Sequence, residues 1–151
     1  MGACTFFGHG DCPDDLRPLL KNVILNLIAT HGVNMFYVDH QGGFDGLVRG
    51  VLRELGQEYS EVRYAVVLAY LPSERSAPFG LSDTMLPEGI ELVHPRFAIS
   101  WRNNWMLQQA DFVVAHVSHP WGGAPQYVQK AIRSSKTVIN LYHAQEGGYT
   151  L

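Results

Sequence analysis

The feature that most restricts what this chain can fold into lies between Arg102 and Lys130, where an apolar run, a glycine loop and a helix start follow one another. Phe112, Val113, Val114, Ala115 and Val117 make a run of strand length with His116 inside it. Ser118 to Gly123 supply the turn. A buried strand that leaves into a loop and a helix belongs in a parallel sheet covered on both faces. Gly122 and Gly123 carry no side chain, so a ligand can approach their backbone closely. The helix behind them, beginning near Ala124, would aim its free N–H groups and positive dipole end at that loop, which suits an anionic oxygen, most often a phosphate. Arg102 and Asn103 precede the strand on a helix, and arginine suits bidentate phosphate contact. The plainer alternatives are a tight turn and a surface arginine.

The same alternation runs through the chain. Ala3 to Phe7 reads as a strand and Gly8 to Pro13 as a turn, with Asp11 able to cap the next helix. That helix spans Asp14 to His31: Leu16, Leu19, Leu20, Val23, Ile24, Leu27 and Ile28 keep the spacing of one buried face, and Gly32 is a natural stop. Val33 to Val38 is the second strand. Asp39, His40, Gln41, Gly42 and Gly43 form a second glycine turn, and a helix from Phe44 to Tyr59 follows, for which Asp45 could serve as a plain cap. Tyr64 to Leu71 is a third strand, its unbroken apolar run fitting burial on both faces. Pro72 to Pro87 reads as an irregular flap. Glu88 to His94 is expected to hold a short strand, Arg96 to Ala110 a helix, and Thr137 to Leu141 the last strand; the tail from Tyr142 shows no periodicity.

The expected fold is therefore α/β, a three-layer parallel sheet with helices on both faces, in a single domain of 151 residues. In such sheets ligands sit beyond the carboxyl ends of the strands. Four loops converge there, and two of them carry a glycine pair ahead of a helix, which suggests a ligand with more than one anionic or ribose group.

Composition narrows the partners. A net charge of −3 without a basic patch argues against binding duplex nucleic acid. No signal peptide or membrane span is readable, and two cysteines without a CxxC pattern suggest a reducing cytoplasm. No cofactor and no metal site are expected: His116 and His119 are HxxH-spaced, but on a strand entering a loop that spacing does not place both on one face. Trp121 either belongs to the core or, just ahead of the glycine pair, stacks on a base, and His9 and His40 either bond a ligand or order their loops. Trp101 and Trp105 strain the burial capacity of so small a fold, which favours a homodimer or higher homo-oligomer. The Glu54/Glu58 pair reads as a solvated helix face.

The segments CTFFGHGDCP, GGFDGLV, YAVVLAYLP, LPEGIE and RFAISWRNNWML, with the strand–GGA unit, resemble the SLOG superfamily of lonely-guy and SMF/DprA-type Rossmann-like domains, here its small bacterial and phage members. The resemblance covers nearly the whole chain and implies a Rossmann-like nucleotide binder, usually a dimer. Lonely-guy members are phosphoribohydrolases of nucleoside 5′-monophosphates; other members are implied to sense NAD- or ADP-ribose-derived signals in antiphage defence. Against the lonely-guy Arg-Lys pair and PGGxGTxxE motif, Arg102 matches the arginine and Asn103 replaces the lysine. Gly122 and Gly123 match the glycine pair, Pro125 and Gln126 replace Gly-Thr, and Gln129 stands where the catalytic glutamate belongs. The Gly-His-Arg start common in related proteins is Gly8-His9-Gly10 here. Glutamine cannot carry the charge that stabilises an oxocarbenium-like sugar, a loss of roughly two to four orders of magnitude.

The reading is thus a non-catalytic binder of a nucleotide or NAD/ADP-ribose-derived signal, for sensing or sequestration in antiphage defence or its viral inhibition. A sensor would act through a partner, because 151 residues leave no room for an effector domain, whereas a sequestering protein needs none. The alternative is a phosphoribohydrolase drawing a carboxylate from Asp39, Asp45 or Glu54. Single-stranded DNA handling, the SMF/DprA analogy, is disfavoured by the acidic balance.

Overall fold

The computed structural model describes residues 2–40, 42–70 and 83–142. Its centre is a six-stranded, all-parallel sheet. In chain order the elements are β1 (Gly2–Gly8), α1 (Arg17–His31), β2 (Val33–Val38), α2 (Gly43–Glu58), β3 (Arg63–Val67), β4 (Thr84–Met85), α3 (Ala98–Gln109), β5 (Phe112–His116), α4 (Gly123–Arg133) and β6 (Thr137–Asn140). The strands lie in the order β4-β3-β2-β1-β5-β6. The chain therefore steps outward from β1 in one direction, returns through α3, and steps outward in the other.

This reversal makes three layers. With right-handed crossovers, helices laid down on opposite directions of travel land on opposite faces. The period-2 alternation of the strands feeds both. Cys4 and Phe6 of β1, Phe36 and Val38 of β2 and Val114 of β5 pack with α1 and α2 through Leu20, Ile24, Leu27, Val48, Leu52 and Leu55. Phe7, Val113 and Ala115 pack on the other side with Met106 and Leu107 of α3 and Val128 and Ala131 of α4. The fold is the expected α/β, Rossmann-like arrangement, and its reversal point falls between β1 and β5.

Helix α1 stops at Gly32, whose φ of 68° is the left-handed turn expected there. Four local expectations change. Asp11 does not cap the following helix; a short 3-10 turn at Asp14–Leu16 begins after Pro13 without a side-chain cap. The third strand stops at Val67, where the chain leaves the sheet after Leu68 N–H bonds the Met85 carbonyl (2.9 Å). Most of the expected flap, 72–82, lies outside the described residues, but its end is not irregular, since Thr84–Met85 pairs with β3 as an edge strand. Glu88 to His94 holds no strand, because Gly89 at φ 94° bends the chain into a 3-10 turn at Ile90–Leu92. Of the expected tail, 143–151 lie outside the described residues.

Trp101 and Trp105 do not need a partner subunit for cover. Trp101 packs against the Ala69, Ile90 and Ala98 cluster, and Trp105 lies edge-on to Tyr37 at 5.3 Å. No helix among the described residues is long and apolar enough to cross a membrane.

Candidate functional site

At the carboxyl ends of β1 and β5 lies a cavity of about 100 Å³. Phe6, Phe7, Met106 and Tyr127 form its apolar part; Gly8, Asp39, Asp45, Asn103, Gly123 and Ala124 form the rest. It is the crevice that the topology dictates, since neighbouring strands send their loops apart at the reversal point. A wider groove of about 680 Å³, lined by Arg53, Arg63, Tyr64 and Asp83 among others, is more open and begins at the first residues of β3. It lies away from the strand ends where the convergent loops meet.

Arg102 is the largest fully buried side chain in the chain's described core. Its two terminal nitrogens form a fork on the Asp39 carboxylate, both at 2.9 Å. One of them also donates to the Val67 carbonyl (3.0 Å), while Nε donates to Asn103 Oδ1 (2.8 Å). The guanidinium is therefore committed inside the protein and does not reach out as the expected phosphate clamp. Bidentate geometry with added hydrogen bonds is what allows such a charge to be buried. The pair ties the end of β2 to α3, and Arg49 adds a bond to the Asp39 carbonyl (3.0 Å). His40 Nδ1 lies 3.3 Å from the Asp39 carboxylate, so it orders this loop.

The two glycine pairs differ. Gly42 (φ 94°, ψ 158°) and Gly122 (φ 98°, ψ −177°) share a backbone shape that is essentially restricted to glycine. A Cβ on Gly43, however, would stand 2.2 Å from the Gly10 carbonyl oxygen. The close approach permitted at the start of α2 is taken by the protein's own backbone. Gly8 is explained likewise, because a Cβ there would meet the Phe44 ring at 2.3 Å. Gly123 has nothing within 4 Å of that position and lines the cavity with Ala124. The start of α4 is exposed and has no side-chain cap. Of the two glycine loops expected to meet anionic or ribose groups, the one at Gly43 is filled by the chain's own backbone and the one at Gly123 stands open.

Asp45 does not cap α2. Its side chain is buried, it lines the cavity, and its Oδ1 has no hydrogen-bond partner among the described residues. Burial, reinforced by the neighbouring Asp39, pushes its carboxyl well above the usual carboxylate range, against the weaker pull of Arg102 and Arg49. Burial thus favours the protonated form of Asp45. Glu54, the other proposed acid, is remote: it bridges Arg17 and Lys21 at 2.7 Å each, tying α1 to α2. That also makes it an ion-pair residue and not a merely solvated one.

Beside the glycine loop runs an aromatic column that sequence spacing did not suggest. The His9 ring stacks on His119 at 3.6 Å, and His119 stacks on Trp121 at 4.0 Å. Trp121 is 67% exposed. The His119 Nδ1–H group donates to the Trp121 carbonyl (3.1 Å), and the His9 amide donates to the His116 carbonyl (3.2 Å). Burial, then the adjacent His119, lowers the His9 pKa. His116 turns instead toward Phe44 and Tyr142. A second missed residue is Asn140, whose amide exchanges two bonds of 3.1 Å with the Val117 backbone and so prolongs the β5–β6 pairing by one position. Gln126 and Gln129 lie on the exposed side of α4 and do not line the cavity, because Ala124, Tyr127 and Ala131 occupy the inner stripe.

Compared with known proteins, the chain matches no family model and no curated relative.

Proposed function

We propose that the chain binds a nucleotide or an NAD/ADP-ribose-derived signalling molecule without converting it, as a SLOG-type domain. The observation that carries this reading is the cavity at the β1–β5 reversal point, which joins an uncapped helix start at Gly123 to a buried, unpartnered acid at Asp45. The helix start offers N–H groups to a phosphate, the acid offers hydrogen bonds to a hydroxyl, and the exposed Trp121 face offers a surface to a base. Gln129, on the outer side of α4, supplies no acid for glycosidic cleavage. Sensing and sequestration, including antiphage defence or its viral inhibition, both follow from such binding. A homo-oligomer is part of the proposal, with exposed Leu92, Phe97 and Ile99 as its support.

The second reading, phosphoribohydrolase activity, rests on Asp45, since a cavity carboxyl whose pKa is raised by burial is suited to act as a general acid. One experiment separates the two. Purified protein is incubated with nucleoside monophosphates, ADP-ribose and cyclic ADP-ribose, then heat-denatured, and the supernatant is analysed by mass spectrometry. Intact ligand is expected; release of free base establishes the hydrolase instead.

A further inference from the structure

The volume of the cavity limits what enters it. At about 100 Å³ it is well below the roughly 300 Å³ of a small-molecule pocket, so one group of a nucleotide enters and the remainder stays outside. The lining decides which group. Among the described residues it carries two acids, an amide and a tyrosine, and no lysine or arginine. Arg102, beside Asn103 on α3, is directed at Asp39, the Val67 carbonyl and Asn103. A phosphate here would face carboxyls without a counter-charge. A sugar would meet hydrogen-bonding side chains from both faces of the sheet, Asp45 from α2 and Asn103 from α3. Because Asn103 Oδ1 accepts from Arg102, its NH2 group is the part left to donate.

We propose that this cavity is a ribose subsite, in which the Asp45 carboxyl and the Asn103 amide take the sugar hydroxyls while the attached phosphate remains outside on the first N–H groups of α4. This rests on the nucleotide-binding reading above and names the part of the ligand that is selected. Two independent features meet in it. The start of α4 is uncapped, with Gly123 open on its Cβ side. Asp45 lines the same cavity, and its Oδ1 is a buried oxygen with no partner among the described residues. Buried polar atoms in folded proteins are almost always paired, so an orphan at a cavity wall marks a place for a ligand's polar group. The groups facing Asp45 are Asp39 at the end of β2, Arg102 from α3, Arg49 one turn along α2, and Cys12 from the loop after β1. In its protonated form, which burial favours, the carboxyl both donates to and accepts from a hydroxyl, as an amide would.

The test uses the full chain, with AMP, 2′-deoxy-AMP, 3′-deoxy-AMP and ribose 5-phosphate as probes in calorimetry at neutral pH. AMP is expected to outbind at least one deoxy analogue by about tenfold, the usual size of one lost hydrogen bond in a buried site. Ribose 5-phosphate is expected to compete with AMP. Asp45→Leu should abolish the preference for the hydroxyl and weaken AMP by about tenfold, while Asp45→Asn, a neutral isostere, should keep both within about threefold. Thermal melting verifies that each variant is folded. Equal ribo- and deoxyribonucleotide binding, or a preference unchanged in Asp45→Leu, overturns the ribose assignment and leaves nucleotide binding standing. Absence of binding of every probe to the unaltered protein overturns the parent reading with it.

Discussion

The two glycine pairs of this protein have nearly the same backbone and opposite surroundings. Gly42 and Gly122 adopt matching positive-φ conformations, and each opens a helix. Yet the α2 pair is pressed against the Gly10 carbonyl and its loop is held by the buried Arg102–Asp39 fork. The α4 pair stands open at a cavity, with Asn140 and stacked rings among the contacts that steady its loop. A glycine motif thus fixes the shape of a turn, whereas the loop opposite decides whether that turn is available to a ligand.

The most damaging way to break the closed side is Arg102→Leu. It removes the bidentate partner of the mostly buried Asp39 carboxylate and is expected to cost about 3–5 kcal/mol in urea unfolding. Next is Gly43→Ala, which sets a methyl against backbone that cannot rotate away and should cost about 1–3 kcal/mol. Gly123→Ala is its counterpart on the open side: stability should change by less than about 0.5 kcal/mol, while affinity for a phosphate-bearing ligand falls. Equal losses of stability in the two alanine variants would erase the distinction between the loops.

Asp45 gives a pH signature. Its folded-state pKa lies above its unfolded one, so above the ordinary value of 3.8 the unfolded chain releases a proton that the folded chain keeps. Stability contributed by this residue therefore falls as pH rises from that value toward the folded pKa. Asp45→Asn should remove that slope and become the more stable protein at neutral pH, as read from urea midpoints across pH. The smallest effect belongs to His9, whose folded pKa is depressed below 6.5. Its contribution declines as pH falls below that value, and the stack beneath Trp121 should loosen, changing tryptophan emission. His9→Gln should flatten this part of the profile.

Much of the architecture was legible from the chain alone. Val33 to Val38 is a strand with the expected bounds, and the spacing of Leu20, Ile24 and Leu27 marked the buried face of α1. The two-residue strand at Thr84–Met85 was not legible, because an edge pairing so short leaves no period in sequence. In the candidate site, the loops at the strand ends were readable but the division of labour within them was not. Arg102 bonds a residue 63 positions away, and Gly43 is glycine because of Gly10; both depend on tertiary approach. One signal was available: Ala98, Arg102 and Met106 are four apart, so the arginine stood on the buried stripe of its helix. The stack of His9 on His119 joins loops 110 residues apart and left no such trace.

The Gly10 carbonyl beside Gly43 has a further bearing on recognition. With that approach taken by the protein itself, one helix start is left facing the cavity to hold negative charge. A guest anchored there by a single anionic oxygen cluster would project any additional phosphoryl groups into water. Such a seat would grip mono- and diphosphorylated guests with similar strength and leave discrimination between them to whatever lies beyond its rim.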